Sequence, residues 1–173
     1  MSSYEPLYID YLIYFNRDQD YFECHEVLEE LWLECDRDPL YKGLLQIAVG
    51  LYHYRNGNYR GGLMMLQSSL DLLASFPDVV LGIRLGELRE DVRELVRELR
   101  QNEWSLLEYR DLSIAIEDSA LTQLVQNRSL ELKPNVPQRR SPTRGRIYEE
   151  KMKALQQAAS VNDPENTNKH ANN

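Results

Sequence analysis

At 173 residues the chain is long enough for one domain with a substantial core and a tail. Its composition is that of a soluble globular protein, and no apolar run has the length of a membrane span. The opening Met1-Ser2-Ser3-Tyr4-Glu5-Pro6 lacks the basic and apolar regions of a secretory leader, so a cytoplasmic location is expected. The charge is uneven: residues 1–38 carry −9, residues 39–130 carry −2 and residues 131–173 carry +3, within a formal total of −8. That acidic first segment argues against a nucleic-acid partner held there.

Residues 4–16 place Leu7, Tyr8, Tyr11, Leu12 and Phe15 on one face of a first helix. After the polar turn Asn16–Gln19, Asp18 or Asp20 can cap a second helix that runs to about Cys35, with an acidic first turn suited to the helix dipole. Cys24 and Cys35 lie on that helix, roughly 16 Å apart, too far to bridge. Cys24 is expected to be a small core residue rather than half of a dyad with His25, since neighbouring side chains on a helix diverge by about 100°. Pro39 is placed to open a third helix over about 39–56, apolar nearly all round and therefore central. Its Gly43 and Gly50 form a stripe for a closely packed neighbour, and Gly57 is placed to end it. Asn58 then caps a fourth helix over about 59–75.

Residues 77–86 are expected to be irregular. A fifth helix over about 87–102 buries Leu88, Val92, Leu95, Val96 and Leu99, with Arg89, Glu90, Arg93, Glu94, Arg97 and Glu98 on a solvated face. Leu112–Ile116 alternates like an extended segment, and Leu121, Leu124 and Val125 suggest a short helix. Trp104 and Tyr109 are expected to anchor this segment. The chain is thus expected to be all-α: a compact bundle of about five helices with a single domain over 4–132, its core in 4–102 and a C-terminal extension in 103–132. Residues 133–173 are expected to form a basic, disordered tail, with a nascent helix at Ile147–Ala159.

The chain also repeats itself at an offset of 38: Tyr14 matches Tyr52, Arg17 matches Arg55, Asp20-Tyr21 matches Asn58-Tyr59, Cys24 matches Gly62 and Leu28 matches Leu66. Two helical hairpins that resemble those of tetratricopeptide repeats are implied, although the period exceeds the usual one. A second resemblance rests on Phe15-Asn16, on Tyr21-Phe22-Glu23-Cys24-His25-Glu26-Val27-Leu28-Glu29 with Trp32, on Gly43–His53, and on Gly57-Asn58 with Gly62. These resemble the bacterial domain-of-unknown-function family 309 over about residues 10–75, extending to 102 if Gly82–Leu85 is included. The resemblance implies a small all-helical protein and no particular activity.

The candidate site is a polar cluster or binding site of His25, Glu26, Glu29, Trp32, Gln46, His53 and Asn58. His25, Glu29 and Trp32 share a stripe of the second helix with Phe22, while Gln46 and His53 share one on the third. An antiparallel hairpin about the turn at 36–39 would bring Glu29 level with Gln46 and His25 near His53. Three readings follow. Glu29 and Gln46 could satisfy each other and the imidazoles as a structural network. A protein segment or small molecule could lie in a groove lined by Trp32, Tyr52, Tyr54 and Tyr59, making this a non-enzymatic binding module. Or His25, Glu29 and His53 could hold a metal or move protons in an enzyme. The Glu-x-x-His ligand pairs of bundle metal sites and the two-histidine protease motif are both absent from this run, so no cofactor is expected.

Overall fold

Pro6 and Pro39, each at the first turn of a helix, open two of the six α-helices found among residues 4–135. The structure, a computed structural model, describes residues 4–135 and, beyond them, Ala154 and Gln157. In order come α1 (Pro6–Ile13), α2 (Tyr21–Glu34), α3 (Pro39–Arg55), α4 (Tyr59–Leu73), a small hairpin of β1 (Val79–Val80) and β2 (Ile83–Arg84), α5 (Leu85–Gln101) and α6 (Ser119–Glu131). The fold class is the expected all-α bundle: the five helices of its core are joined by α6, where Leu121, Leu124 and Val125 suggested a short helix. Residues 1–138 form one unit and residues 139–173 another; of the latter only Ala154 and Gln157 are described, both helical and exposed. The expectations for the remaining tail, including the helix at Ile147–Ala159, lie outside the described residues.

The 38-residue offset is visible in the backbone. Gln19 (φ 47°) and Gly57 (φ 81°) both take the left-handed conformation that closes the first helix of a hairpin. The next residue caps the second helix in each case: Asp20 accepts from the Glu23 N–H at 3.1 Å, and Asn58 from the Gly61 N–H at 3.0 Å. The copies differ at the first closure. There the chain widens into a π-helical turn over Tyr14–Asp18, where a plain α-helix to residue 16 was expected.

α3 lies at the centre, flanked by α2 and α4. Its glycines let α4 approach: a Cβ on Gly43 would lie 2.5 Å from Leu73 Cδ2, and one on Gly50 2.7 Å from Leu66 Cγ. α1 packs on α2 through the buried Cys24, whose thiol points at the Tyr11 carbonyl at 3.6 Å, and the Tyr11 hydroxyl donates to the Leu44 carbonyl of α3 at 3.1 Å.

Three expectations are corrected here. Residues 79–84 form a hairpin rather than an irregular loop, and Ile83 also bridges Ile116 of the extended segment. The core does not stop at 102: Leu112, Ile114 and Leu121 are buried with it. Leu112 and Ile114 alternate with exposed Ser113 and Ala115, a one-sided extended segment too short to carry a strong signal on its own. Finally, Arg89 is not on the solvated face of α5. It is only 7% exposed; its guanidinium donates to the Leu73 carbonyl at the end of α4 (2.8 Å) and pairs with Asp78 (2.6 Å). The last carbonyls of a helix lack intrahelical partners, and a cation suits them.

Candidate functional site

The register between α2 and α3 is fixed by two contacts with the same residue sum. The Phe22 and Tyr52 rings stand 6.0 Å apart, and the Lys42 ammonium lies 5.5 Å from the centre of the Trp32 ring. Between these levels lies a seam in which α2 contributes Phe22, His25, Glu29 and Trp32, and α3 contributes Gln46, Tyr52 and His53. All seven are partly buried, set beside the apolar stripe that each helix turns to the core.

His25 sits between two carboxylates of its own helix. Its Nε2 is 3.2 Å from Glu29 Oε2, one turn on, and its Nδ1 is 3.5 Å from Glu26 Oε1. One ligand atom from each of the three lies within 4.8 Å of the other two. The side chains of His25, Glu26 and Glu29 are 32, 21 and 20% exposed, so solvent reaches all three. The Phe22 ring packs against the imidazole at 6.5 Å.

His53 stands apart from that trio. Asn58 sets its orientation: Asn58 Oδ1 accepts the Gly61 N–H, which leaves Nδ2 facing His53 Nδ1 at 3.3 Å. Nδ1 then accepts, and neutral His53 carries its proton on Nε2. Burial, reinforced by the charge of nearby His25, holds the His53 imidazole below its ordinary value of 6.5. Burial also raises the Glu23 carboxyl, with the charges of Asp20 and Glu26 adding to the effect.

Glu29 and Gln46 do not satisfy each other; Glu29 turns to His25. Gln46 Oε1 and Trp32 Nε1 are fully buried and have no hydrogen-bond partner among the described residues. The Trp32 ring is flanked by two cations, Lys42 and Arg37, the latter 5.7 Å from its centre.

Two aromatics expected in the seam lie elsewhere. Tyr54 is buried, its ring 5.7 Å from Tyr59 and 5.1 Å from Tyr109, and Tyr59 continues to Trp104 at 5.7 Å. Residues 52 and 54 of one helix diverge by about 200°, so they cannot line one groove. This second aromatic set anchors the C-terminal segment, with Trp104 Nε1 donating to the Leu99 carbonyl at 3.0 Å. Two residues that tie down that segment were not read as doing so from sequence: Asn16, noted only within the family resemblance, and Asp111. Asn16 bonds Ile114, 98 residues away, and Asp111 accepts from Tyr21, 90 residues away, and no local pattern announces either contact.

A cavity of about 620 Å³ is lined by residues of the β-hairpin and α5 together with Asp78 and Glu117. Its charged groups are already paired, Arg84 with Glu117 and Glu87, and Arg89 with Asp78. Among the described residues no helix is long and apolar enough to cross a membrane.

These features define a bundle of two helical hairpins with a polar seam between its second and third helices. The sequence profile of DUF309, a domain of unknown function, matches residues 8–65, the stretch holding both hairpin turns and the whole seam. The chain is 34% identical over 125 residues to the uncharacterized protein YpuF of Bacillus subtilis (strain 168), covering 69% of this chain and 70% of that one. It is also 32% identical over 80 residues to an uncharacterized protein of Aquifex aeolicus (strain VF5), covering 44% of this chain and 24% of that longer one. The chain belongs to the DUF309 family.

Proposed function

We propose that this protein is a non-enzymatic binding module that takes a peptide segment of a partner along the seam between α2 and α3. One observation carries the reading: Trp32 Nε1, a donor, and Gln46 Oε1, an acceptor, sit in one seam with no partner among the described residues. Leaving such a group unmatched costs about 1–3 kcal/mol, so a guest that supplies the match gains by it. A peptide unit carries both complements, a carbonyl for the indole and an N–H for the amide. Both residues are only partly buried, so the two atoms lie beneath side chains that also face the surface. The flanking groups add selectivity. Glu26 and Glu29 favour a basic residue within the guest, and the Phe22 and Tyr52 rings an apolar one at its end.

An enzyme built on His25, Glu29 and His53 would need these groups turned toward a substrate. Glu29 is turned to His25 instead, and the Asn58 contact orients His53. This supports binding over acid–base catalysis.

The test is a selection from random peptides displayed on phage against the full chain, followed by affinity measurement on Trp32→Ala and Gln46→Ala. Selected peptides that bind the variants at least tenfold more weakly support the reading. Failure to select any, or equal binding to the variants, contradicts it.

A further inference from the structure

α4 meets α3 through Gly62, Leu66 and Leu73. Asn58, at its start, reaches His53 of the seam, whereas the next residue, Tyr59, turns the other way to Tyr54 and Trp104. Gly61, Met65, Ser68 and Leu72 follow Asn58 at spacings of three and four, so they share its flank and stand on the seam side, all partly buried. The α3 glycines set the level: Gly43 against Leu73 and Gly50 against Leu66 have the same residue sum, which places Leu72 beside residue 44 and Met65 beside residue 51. Both levels fall between the Lys42–Trp32 and Tyr52–Phe22 contacts that bound the seam. Of the partly buried apolar side chains on α2, α3 and α4, all but four pack against the core; the four are Phe22, Val49, Met65 and Leu72. Val49 continues the α3 stripe of Lys42, Gln46 and His53, so all four lie on the seam side. Apolar side chains screened by their neighbours yet standing off the core line a groove.

We propose that the seam is one side of a groove floored by α3 and walled by α2 and α4, and that its guest is an extended segment alternating basic and apolar side chains. This rests on the peptide reading of the seam and names the class of peptide. The guest is extended because Trp32 Nε1 and Gln46 Oε1 call for backbone groups, which a helical guest would use within itself. The two walls differ in chemistry. Between Arg17 and Arg37 the chain carries eight acids and no lysine or arginine, and Glu26 and Glu29 of that stretch stand on the α2 wall. Arg37 and Lys42, the nearest cations in sequence, lie over the Trp32 ring. The α4 wall of Gly61, Met65, Ser68 and Leu72 carries no charge. An extended chain sends successive side chains to opposite sides, so basic residues turned to α2 and apolar ones turned to α4 match both walls at once. The levels of Lys42 and Tyr52 stand about 15 Å apart along α3, room for roughly five extended residues.

The test is fluorescence anisotropy of two labelled decapeptides titrated with the full chain. One alternates valine and lysine; the other has the same composition in two blocks. The alternating peptide should bind saturably, and the block peptide about tenfold more weakly or worse. Met65→Gln and Leu72→Gln, which alter side chains off the core, should each weaken the alternating peptide by about tenfold. Met64→Gln, on the exposed side of α4, should leave it unchanged. Equal binding of the two peptides overturns the inference. So does no saturable binding of the alternating peptide at millimolar protein, or unchanged binding to folded Met65→Gln and Leu72→Gln. The peptides selected on phage separate this failure from failure of the seam reading. If they lose affinity on Trp32→Ala yet bind Met65→Gln and Leu72→Gln like the wild type, the seam reading stands and the α4 wall falls. If none is selected, both fall.

Discussion

The side-chain amide of Asn16 pairs with both backbone groups of Ile114: Nδ2 donates to the carbonyl at 2.9 Å, and the Ile114 N–H donates to Oδ1 at 2.8 Å. A side chain thereby acts as the neighbouring strand for a segment 98 residues away. The π-helical turn carrying Asn16 holds it there, and Ile114 can bury its side chain without orphaning its backbone.

Asn16→Ala removes both partners of Ile114 at once. The expected loss is about 1–3 kcal/mol, read as a lower midpoint in urea denaturation. An unchanged midpoint would mean that Ile114 is satisfied without Asn16.

The glycines of α3 make a graded prediction. Gly43→Ala meets side-chain atoms of Leu73 alone, Cδ2 at 2.5 Å and Cγ at 2.6 Å, whereas Gly50→Ala meets Leu66 Cγ at 2.7 Å and also the Leu66 backbone nitrogen, 3.2 Å away, which cannot swing aside. Overpacking costs about 1–3 kcal/mol, against a helix-propensity gain of about 1 kcal/mol. Gly50→Ala should therefore lower the melting temperature, and Gly43→Ala should lower it less. The reverse order would show that the α3–α4 contact is misplaced.

Much of this was legible beforehand, for reasons that are local. Asp20 and Asn58 announce helix starts because short acceptors cap exposed N–H groups, and Gly57 announces a stop because glycine accepts positive φ at little cost. The seam followed from helical spacing, which placed His25 beside Glu29. Arg89 was misread because its position on α5 fits a charged surface stripe, and only the end of α4 overhead makes it a buried cap. The Glu29–Gln46 pair was misread because helix register gives the level of a side chain but not its rotamer.

Arg89→Met keeps the bulk of the side chain and removes its donors. The Leu73 and Phe76 carbonyls then lose their cation, and about 2–3 kcal/mol of stability should go with it. Chemical denaturation of the variant decides this, and a loss below about 0.5 kcal/mol would return Arg89 to an ordinary surface role.

His53 sets a pH dependence of definite sign. Its folded-state value lies below the ordinary 6.5, chiefly through burial, so below that pH the unfolded chain takes up the proton more readily. Its contribution is intact above 6.5 and is lost as pH falls through the lowered folded value. Between pH 7.5 and 5.5 the wild type should lose more stability than His53→Gln, measured by urea midpoints at each pH. Parallel profiles would show that His53 is not desolvated.

The central claim, that the seam receives a peptide, is tested most directly at the Trp32 indole. The chain has two tryptophans, so a ¹⁵N–¹H spectrum of the Trp104→Phe variant assigns the Trp32 indole resonance. Titration with a selected peptide should move that resonance downfield as Nε1 gains an acceptor, while the Trp104 signal of the wild type stays in place. A Trp32 resonance that does not move while the peptide binds would contradict the account.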